Sequence, residues 1–171
     1  GFSYFADAYG LEQVAMEING QKPSLKQMGH FITEAKRENI KMIFVQSQFS
    51  TESAEMLARH GAQLAFTYQG EALGKRVAPL AESLGSSLVL PCDVEDIATV
   101  DATFAALKEA WGSLDFVVHA IGFSDKNELK GLYADTTREN FSRTMVISCF
   151  SFTEIAKRAA ALMPNGGAMI T

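Results

Sequence analysis

Apolar and polar positions along the chain fall into two alternating rhythms: short apolar runs, and longer stretches with helical spacing. Lys41 to Gln46 (KMIFVQ), Ala62 to Gln69 (AQLAFTYQ), Ser87 to Val94 (SLVLPCDV) and Leu114 to Gly122 (LDFVVHAIG) read as strands. Their apolar character on both faces is that of a covered parallel sheet. Helical patterns lie between them. Thr51 to His60 ends against Gly61, a residue suited to the left-handed position past a helix. Glu71 to Leu84 carries Leu73, Val77, Leu80, Ala81 and Leu84 on one stripe and stops at Gly85. Asp96 to Trp111 places Ile97, Val100, Phe104, Leu107 and Trp111 in the same way. A capping box, Thr136-Thr137-Arg138-Glu139, opens a long helix to about Leu162. Asn165-Gly166-Gly167 breaks it, and Ala168 to Thr171 begins another strand. Upstream, Phe2 to Tyr9 reads as a short helix and Gln13 to Ile18 as a strand closed by Asn19-Gly20. Ser24-Leu25-Lys26-Gln27 is another capping box, before a helix with Leu25, Met28, Ile32 and Ala35 on one face.

Strands alternating with helices of this length predict an α/β fold. The expected form is three-layer α/β/α, a doubly wound parallel sheet of about six strands in a single domain spanning residues 1–171. The composition agrees. The 171 residues, 47% of them hydrophobic, suit one core, and neither linker nor repeat interrupts the pattern. The net charge of -5, from 15 Lys+Arg against 20 Asp+Glu, argues against a nucleic-acid partner, which needs a clustered basic surface. Apolar runs of only a few residues predict no membrane span, and no basic-then-apolar leader is present, so a cytoplasmic setting is expected. Cys92 and Cys149 are expected to be buried reduced thiols. His30, His60 and His119 show no HxxxH or HxH spacing, so no metal site is expected.

In an open α/β sheet, ligands bind beyond the carboxyl ends of the strands. That singles out Ser47 to Thr51, Gln69-Gly70, Cys92-Asp93-Val94 and Ala120-Ile121-Gly122. Asp93 can accept a hydrogen bond from an adenine amino group, with the Val94 backbone N–H beside it. Gly122 permits close approach of a ribose or nicotinamide. The bland alternative is that Asp93 or Asp96 caps the next helix and that Gly122 is a turn residue.

From about Met56 to Thr171 the chain resembles the NADH-dependent enoyl-acyl-carrier-protein reductases, within the short-chain dehydrogenase superfamily. ARHGAQLAFTYQGEALGKRVAPLAESLG, the CDV at 92–94, WGSLDFVVHAIGFSDKNEL and ISCFSF carry the likeness. HAIGFS is its most specific part, since related dehydrogenases have Asn-Ala-Gly there. The resemblance implies a Rossmann-like sheet of order 3-2-1-4-5, counting Lys41–Gln46 as strand 1. It implies that Gln69 lies by the adenosine ribose and that Asp93 and Val94 hold the adenine. Ala120, Ile121 and Gly122 would border the ribose and nicotinamide of NAD(H). It also implies a homodimer through helix 137–162, whose apolar residues include Phe141, Met145, Ile147, Cys149, Phe150 and Ile155.

Two departures shape the functional expectation. The family's phosphate loop contains glycine, whereas this chain reads Gln46-Ser47-Gln48-Phe49-Ser50. The family's catalytic tyrosine and lysine would lie beyond Thr171. Residues 1–55 resemble instead the C-terminal lobe of zinc/manganese solute-binding proteins of ABC transporters, through YFADAYGLEQ, INGQKPSLKQ and IKMIFVQSQFSTESAE. Gln46 stands where some of those proteins have a metal-binding glutamate, so metal binding is not expected. The leading expectation is thus a chimera spliced within helix Thr51–His60, with NAD(H) binding weak or lost, and no turnover. The alternatives are an NADH-dependent enoyl-acyl-carrier-protein reductase fragment and a metal-binding lobe.

Overall fold

The computed structural model describes residues 41–45, 51–59 and 61–171. The expected strand Gln13–Ile18, the helices around it and the Ser47–Ser50 loop fall outside them.

Among the described residues, five strands form one parallel sheet: β1 (Lys41–Val45), β2 (Gln63–Tyr68), β3 (Leu88–Pro91), β4 (Phe116–His119) and β5 (Ala168–Ile170). Their order is β3-β2-β1-β4-β5. This is the order that the resemblance implied. A sixth strand would have to come from residues outside those described. The central strand β1 pairs Lys41 with Gln63 on one side and Met42 with Phe116 on the other. The sheet therefore winds outward in both directions from β1, which puts a topological switch point between β1 and β4.

The described residues form five α-helices: α1 (Thr51–Arg59), α2 (Gly70–Ser83), α3 (Ile97–Trp111), α4 (Arg138–Met145) and α5 (Ser151–Ala160). Side chains alternate across the pleat. Leu64, Phe66, Phe116 and Val118 pack with Ala54, Leu57, Val77 and Ala81 of α1 and α2. Ala65, Val117 and Met169 pack with Val100, Phe104 and Leu107 of α3 and with Phe152, Ile155 and Ala159 of α5. Two cores thus sandwich one sheet, as the doubly wound pattern requires. Each fully buried Val, Leu or Ile among them contributes about 1.5–3 kcal/mol.

The helix ends show how the sequence sets its boundaries. Asp96 caps α3 by accepting the Ala98 N–H at 3.1 Å, and Gly112 closes it at φ 74° with its N–H on the Lys108 carbonyl at 2.8 Å. At α4 the cap is Thr137, whose hydroxyl accepts the Asn140 N–H at 3.1 Å. The expected box at Thr136 and Glu139 is thus displaced by one residue. Glu128 takes the reciprocal role, accepting the Thr137 N–H and hydroxyl at 2.8 Å each. A carboxylate from the preceding loop serves as well as one from the first turn.

The long helix expected from 137 to 162 is interrupted by a π turn at Val146–Phe150. The Ser151 N–H there bonds to the Val146 carbonyl, five residues back. The turn corrects two sequence expectations. Cys149 is exposed, not buried, while Cys92 is buried as expected. Ile147 and Ile155 face the core at 6% and 1% exposure, so they are unavailable to a partner.

The two glycines of the Asn165-Gly166-Gly167 break do different work. Gly166 has φ 85°, and no described residue lies within 4 Å of a Cβ built there. Gly167 is a close approach: a Cβ there would lie 2.8 Å from the Asp115 carbonyl oxygen and 2.5 Å from Met163 Sδ. The Met163 side chain can yield. The Asp115 carbonyl cannot, because it accepts the Ala168 N–H at 3.0 Å where β5 joins β4. Gly167→Ala is therefore expected to cost about 2 kcal/mol, measurable as a lower denaturation midpoint with an unchanged slope.

Candidate functional site

The described part of the strand-end rim consists of the segments after β2, β3 and β4. Gln69 follows β2 immediately and is exposed at the start of α2. Asp93 and Val94 follow β3, half-buried and buried respectively. Ala120, Ile121 and Gly122 follow β4, the first two half-buried and Gly122 exposed. All six residues thus lie beyond carboxyl strand ends. Ser47 and Ser50, and the side chain of Thr51, lie outside the described residues.

Two of the six meet directly. Gln69 Nε2 donates to Asp93 Oδ2 at 3.1 Å, joining the segments after β2 and β3. Asp93 Oδ1 accepts the Glu95 N–H at 2.9 Å, and its own N–H donates to Thr99 Oγ1 at 2.8 Å. Asp93 is not the cap of α3; Asp96 is. Each Asp93 oxygen keeps a second lone pair, so the carboxylate can take a further donor.

Gly122 is not demanded by the backbone. Its φ is not positive, and among the described residues a Cβ built there meets nothing within 4 Å. The fold alone would accept a side chain at this point, so the turn reading of this glycine does not account for it. What the glycine provides is bare backbone facing open space. A planar ligand can lie there in contact with main chain.

Below the rim sits a buried polar chain. His119, fully buried at the end of β4, has Nε2 2.8 Å from Ser151 Oγ and Nδ1 3.2 Å from Thr171 Oγ1. Ser151 has one hydroxyl proton, and it goes to the Ile147 carbonyl at 2.6 Å. That carbonyl is open to it because the π turn sends the Ser151 N–H to Val146 instead. Ser151 must then accept from His119, which places the imidazole proton on Nε2 and leaves Nδ1 to accept from Thr171. Burial holds the imidazole neutral, with a pKa lowered to about 4. The Phe152 ring meets His119 edge-on at 5.5 Å. His119 is therefore a structural tie between β4, β5 and the long helix.

The segment after Gly122 is held equally firmly. Ser148, on the π turn, accepts the Phe123 N–H at 3.0 Å and donates to the Phe123 carbonyl at 3.1 Å. Asn140 accepts the Asp125 N–H at 3.0 Å. Arg143 makes two 2.7 Å hydrogen bonds to Glu95, one to each oxygen, and lies 4.4 Å from the Phe123 ring centroid. The guanidinium beside it holds the Glu95 carboxyl below its ordinary range.

Sequence reading did not single out Ser148, Ser151 or Arg143. The serines had a signal, since ISCFSF places two hydroxyls in an apolar helix, yet their targets lie far off in the chain. The Arg143–Glu95 pair spans 48 residues and left none. Among the described residues, no three His, Cys, Asp or Glu side chains gather as a metal site, and no helix is long and apolar enough to cross a membrane.

Comparison with known proteins places this geometry. Residues 46–171 match the family model described as enoyl-(acyl carrier protein) reductase, starting ten residues before the boundary read near Met56. Residues 1–83 match a second model, the periplasmic zinc-uptake complex component A. The chain is 77% identical over 118 residues to enoyl-acyl-carrier-protein reductase (NADH) 2 of Rhizobium meliloti, covering 69% of this chain and 44% of that protein. It is 44% identical over 140 residues to the NADH enzyme FabI of Rickettsia felis, covering 82% and 54%. Among solved structures, the enoyl reductase of Anaplasma phagocytophilum, in complex with NAD, superposes with a TM-score of 0.73 at 51% identity, over 78% of this chain and 53% of that one. FabI from Candidatus Liberibacter asiaticus superposes with a TM-score of 0.72 at 52% identity, over 77% and 53%.

These findings overturn the expectation of a non-catalytic chimera. A relative 77% identical over 118 residues is named as an NADH enoyl reductase, so the reductase alternative fits better. The case against turnover leaned on residues beyond Thr171, yet the chain spans only about half the length of the curated relatives it matches. On the match over residues 46–171, the chain belongs to the enoyl-(acyl carrier protein) reductase family.

Proposed function

We propose that these residues form the dinucleotide-binding part of an NADH-dependent enoyl-acyl-carrier-protein reductase. The observation that carries this reading is the backbone at Gly122, open among the described residues, at the switch point of the sheet. Gln69 and Asp93, already bonded to each other, form the adenosine end of the site with Val94. Ala120, Ile121 and Gly122 border the ribose and nicotinamide. NADH supplies the hydride for reduction of the enoyl thioester. The chain's described residues bind and orient it, and the neutral His119 tie keeps the floor of the site rigid. Titration of the protein with NADH, followed by cofactor fluorescence, tests this reading. Saturable enhancement is expected, and enhancement lost in Asp93→Ala would locate the site.

The same reading includes a homodimer through the long helix, as a single domain per subunit. Phe141, Met145, Val146 and Phe150 are exposed large apolar residues clustered on α4 and the π turn, and this supports it. Light scattering is expected to give twice the chain mass; a monomer at high concentration would remove the dimer. A composite descent, with residues 1–55 from a zinc-uptake component, draws its support from the second family match.

A further inference from the structure

We propose that Arg143 is a positioning residue that braces the two rim segments of the cofactor site against each other. The inference rests on the dinucleotide reading above. The segment after β3 holds Asp93 and Val94, and the segment after β4 holds Ala120 to Gly122. These strands are not neighbours, since β2 and β1 lie between them. The sheet spaces the strand ends, but no main-chain pairing joins the two segments beyond them directly, which leaves a direct tie to side chains.

Arg143 touches both. Its Nε and a terminal nitrogen each meet one Glu95 oxygen at 2.7 Å, a two-bond fork that fixes orientation as well as distance. The face of the same guanidinium lies 4.4 Å from the Phe123 centroid. Glu95 is next to Val94, and Phe123 is next to Gly122. Each contact is then passed inward by a short linkage. The Glu95 N–H is held by Asp93 Oδ1 at 2.9 Å, and the Phe123 N–H and carbonyl by Ser148 at 3.0 and 3.1 Å. One planar cation therefore ties the adenine-side segment to the nicotinamide-side segment, and none of its bonds goes to a rim residue itself.

The setting decides what the brace does. The Arg143 and Glu95 side chains are 53% and 34% exposed, and ion pairs so exposed add little to stability. Its effect is on geometry: it sets the width between two segments that must engage one ligand together. Lysine can replace the charge but not the fork or the stacked plane.

The test uses the full chain and the variants Arg143→Met, Arg143→Lys and Glu95→Gln, with NADH affinity, melting temperature and amide hydrogen exchange measured for each. Arg143→Met should weaken NADH binding by roughly five- to tenfold while its melting temperature stays near that of the parent. Arg143→Lys should recover part of that affinity. In unliganded protein, Arg143→Met should speed exchange in both segments, 93–95 and 122–124. Unchanged affinity and exchange in Arg143→Met would overturn the brace. So would lost affinity accompanied by a proportionate fall in melting temperature and no recovery in Arg143→Lys. A parent chain that binds no NADH, but whose Arg143→Met variant loosens both segments, would refute the dinucleotide reading and leave the mechanical tie standing.

Discussion

Gly122→Val is expected to abolish most NADH binding while leaving the fold as stable as before. Among the described residues nothing lies within 4 Å of the Cβ that valine would add, and the backbone there does not need glycine's left-handed freedom. Substituting a glycine at an unstrained position restricts the unfolded chain and usually holds or raises stability by about 0.4–1 kcal/mol. The new methyl groups instead occupy the open space that the nicotinamide end of the cofactor would take. A loss of roughly hundredfold in affinity, about 2.7 kcal/mol, is expected. Gly122→Ala should fall between the parent and the valine variant. Calorimetric titration beside a thermal melt checks both arms. Binding that survives Gly122→Val intact would move the ligand elsewhere, and a collapsed melting temperature would make Gly122 a folding residue.

The second large effect is a pH dependence of stability that belongs to His119. Its pKa is lowered to about 4 by burial, whereas an unfolded histidine titrates near 6.5. Between those values the unfolded chain binds a proton that the folded chain refuses. Stability therefore falls as pH drops through 6.5 and levels off below about 4, with a total loss of roughly 3 kcal/mol from this group. Carboxylates of the unfolded chain also take up protons at the acid end of this range, so the comparison must be with a variant. His119→Gln keeps an N–H to offer Ser151 but does not titrate. Urea unfolding at pH 7, 5.5 and 4 should show the parent losing stability more steeply than the variant as the pH falls. Identical pH profiles would show that His119 contributes nothing to acid lability.

The fold was legible because its determinants are local. The apolar runs ending at Gln69, Val94 and Gly122 mark strand ends within a few residues of where β2, β3 and β4 stop, and the spacing from Asp96 to Trp111 marks α3. Boundaries slipped where long-range partners intervened. Thr137 caps α4 because Glu128, nine residues upstream, reaches its N–H. The π turn could not be read from periodicity, since it moves the following residues by a fraction of a turn. Its consequence is an exposed Cys149 and a Ser151 free to bond inward. The rim residues were readable from strand-end logic and family likeness, but the groups that hold them in place were not. Arg143, Ser148 and His119 act on partners 20 to 52 residues away, and nothing local announces such pairs.

The expectation of a non-catalytic chimera was overturned for a different reason. It weighed the residues beyond Thr171 and the glycine-free Gln46–Ser50 segment above the likeness of the remaining chain. The match to the reductase family begins at Gln46 itself and runs across that segment.

The most direct measurement is an NADH titration of this chain with amide exchange read at the rim. Saturable binding is predicted, with protection rising at 93–94 and 120–122 and little changed along the buried strand β4. Absence of binding at millimolar NADH, or protection confined to other segments, would contradict the account.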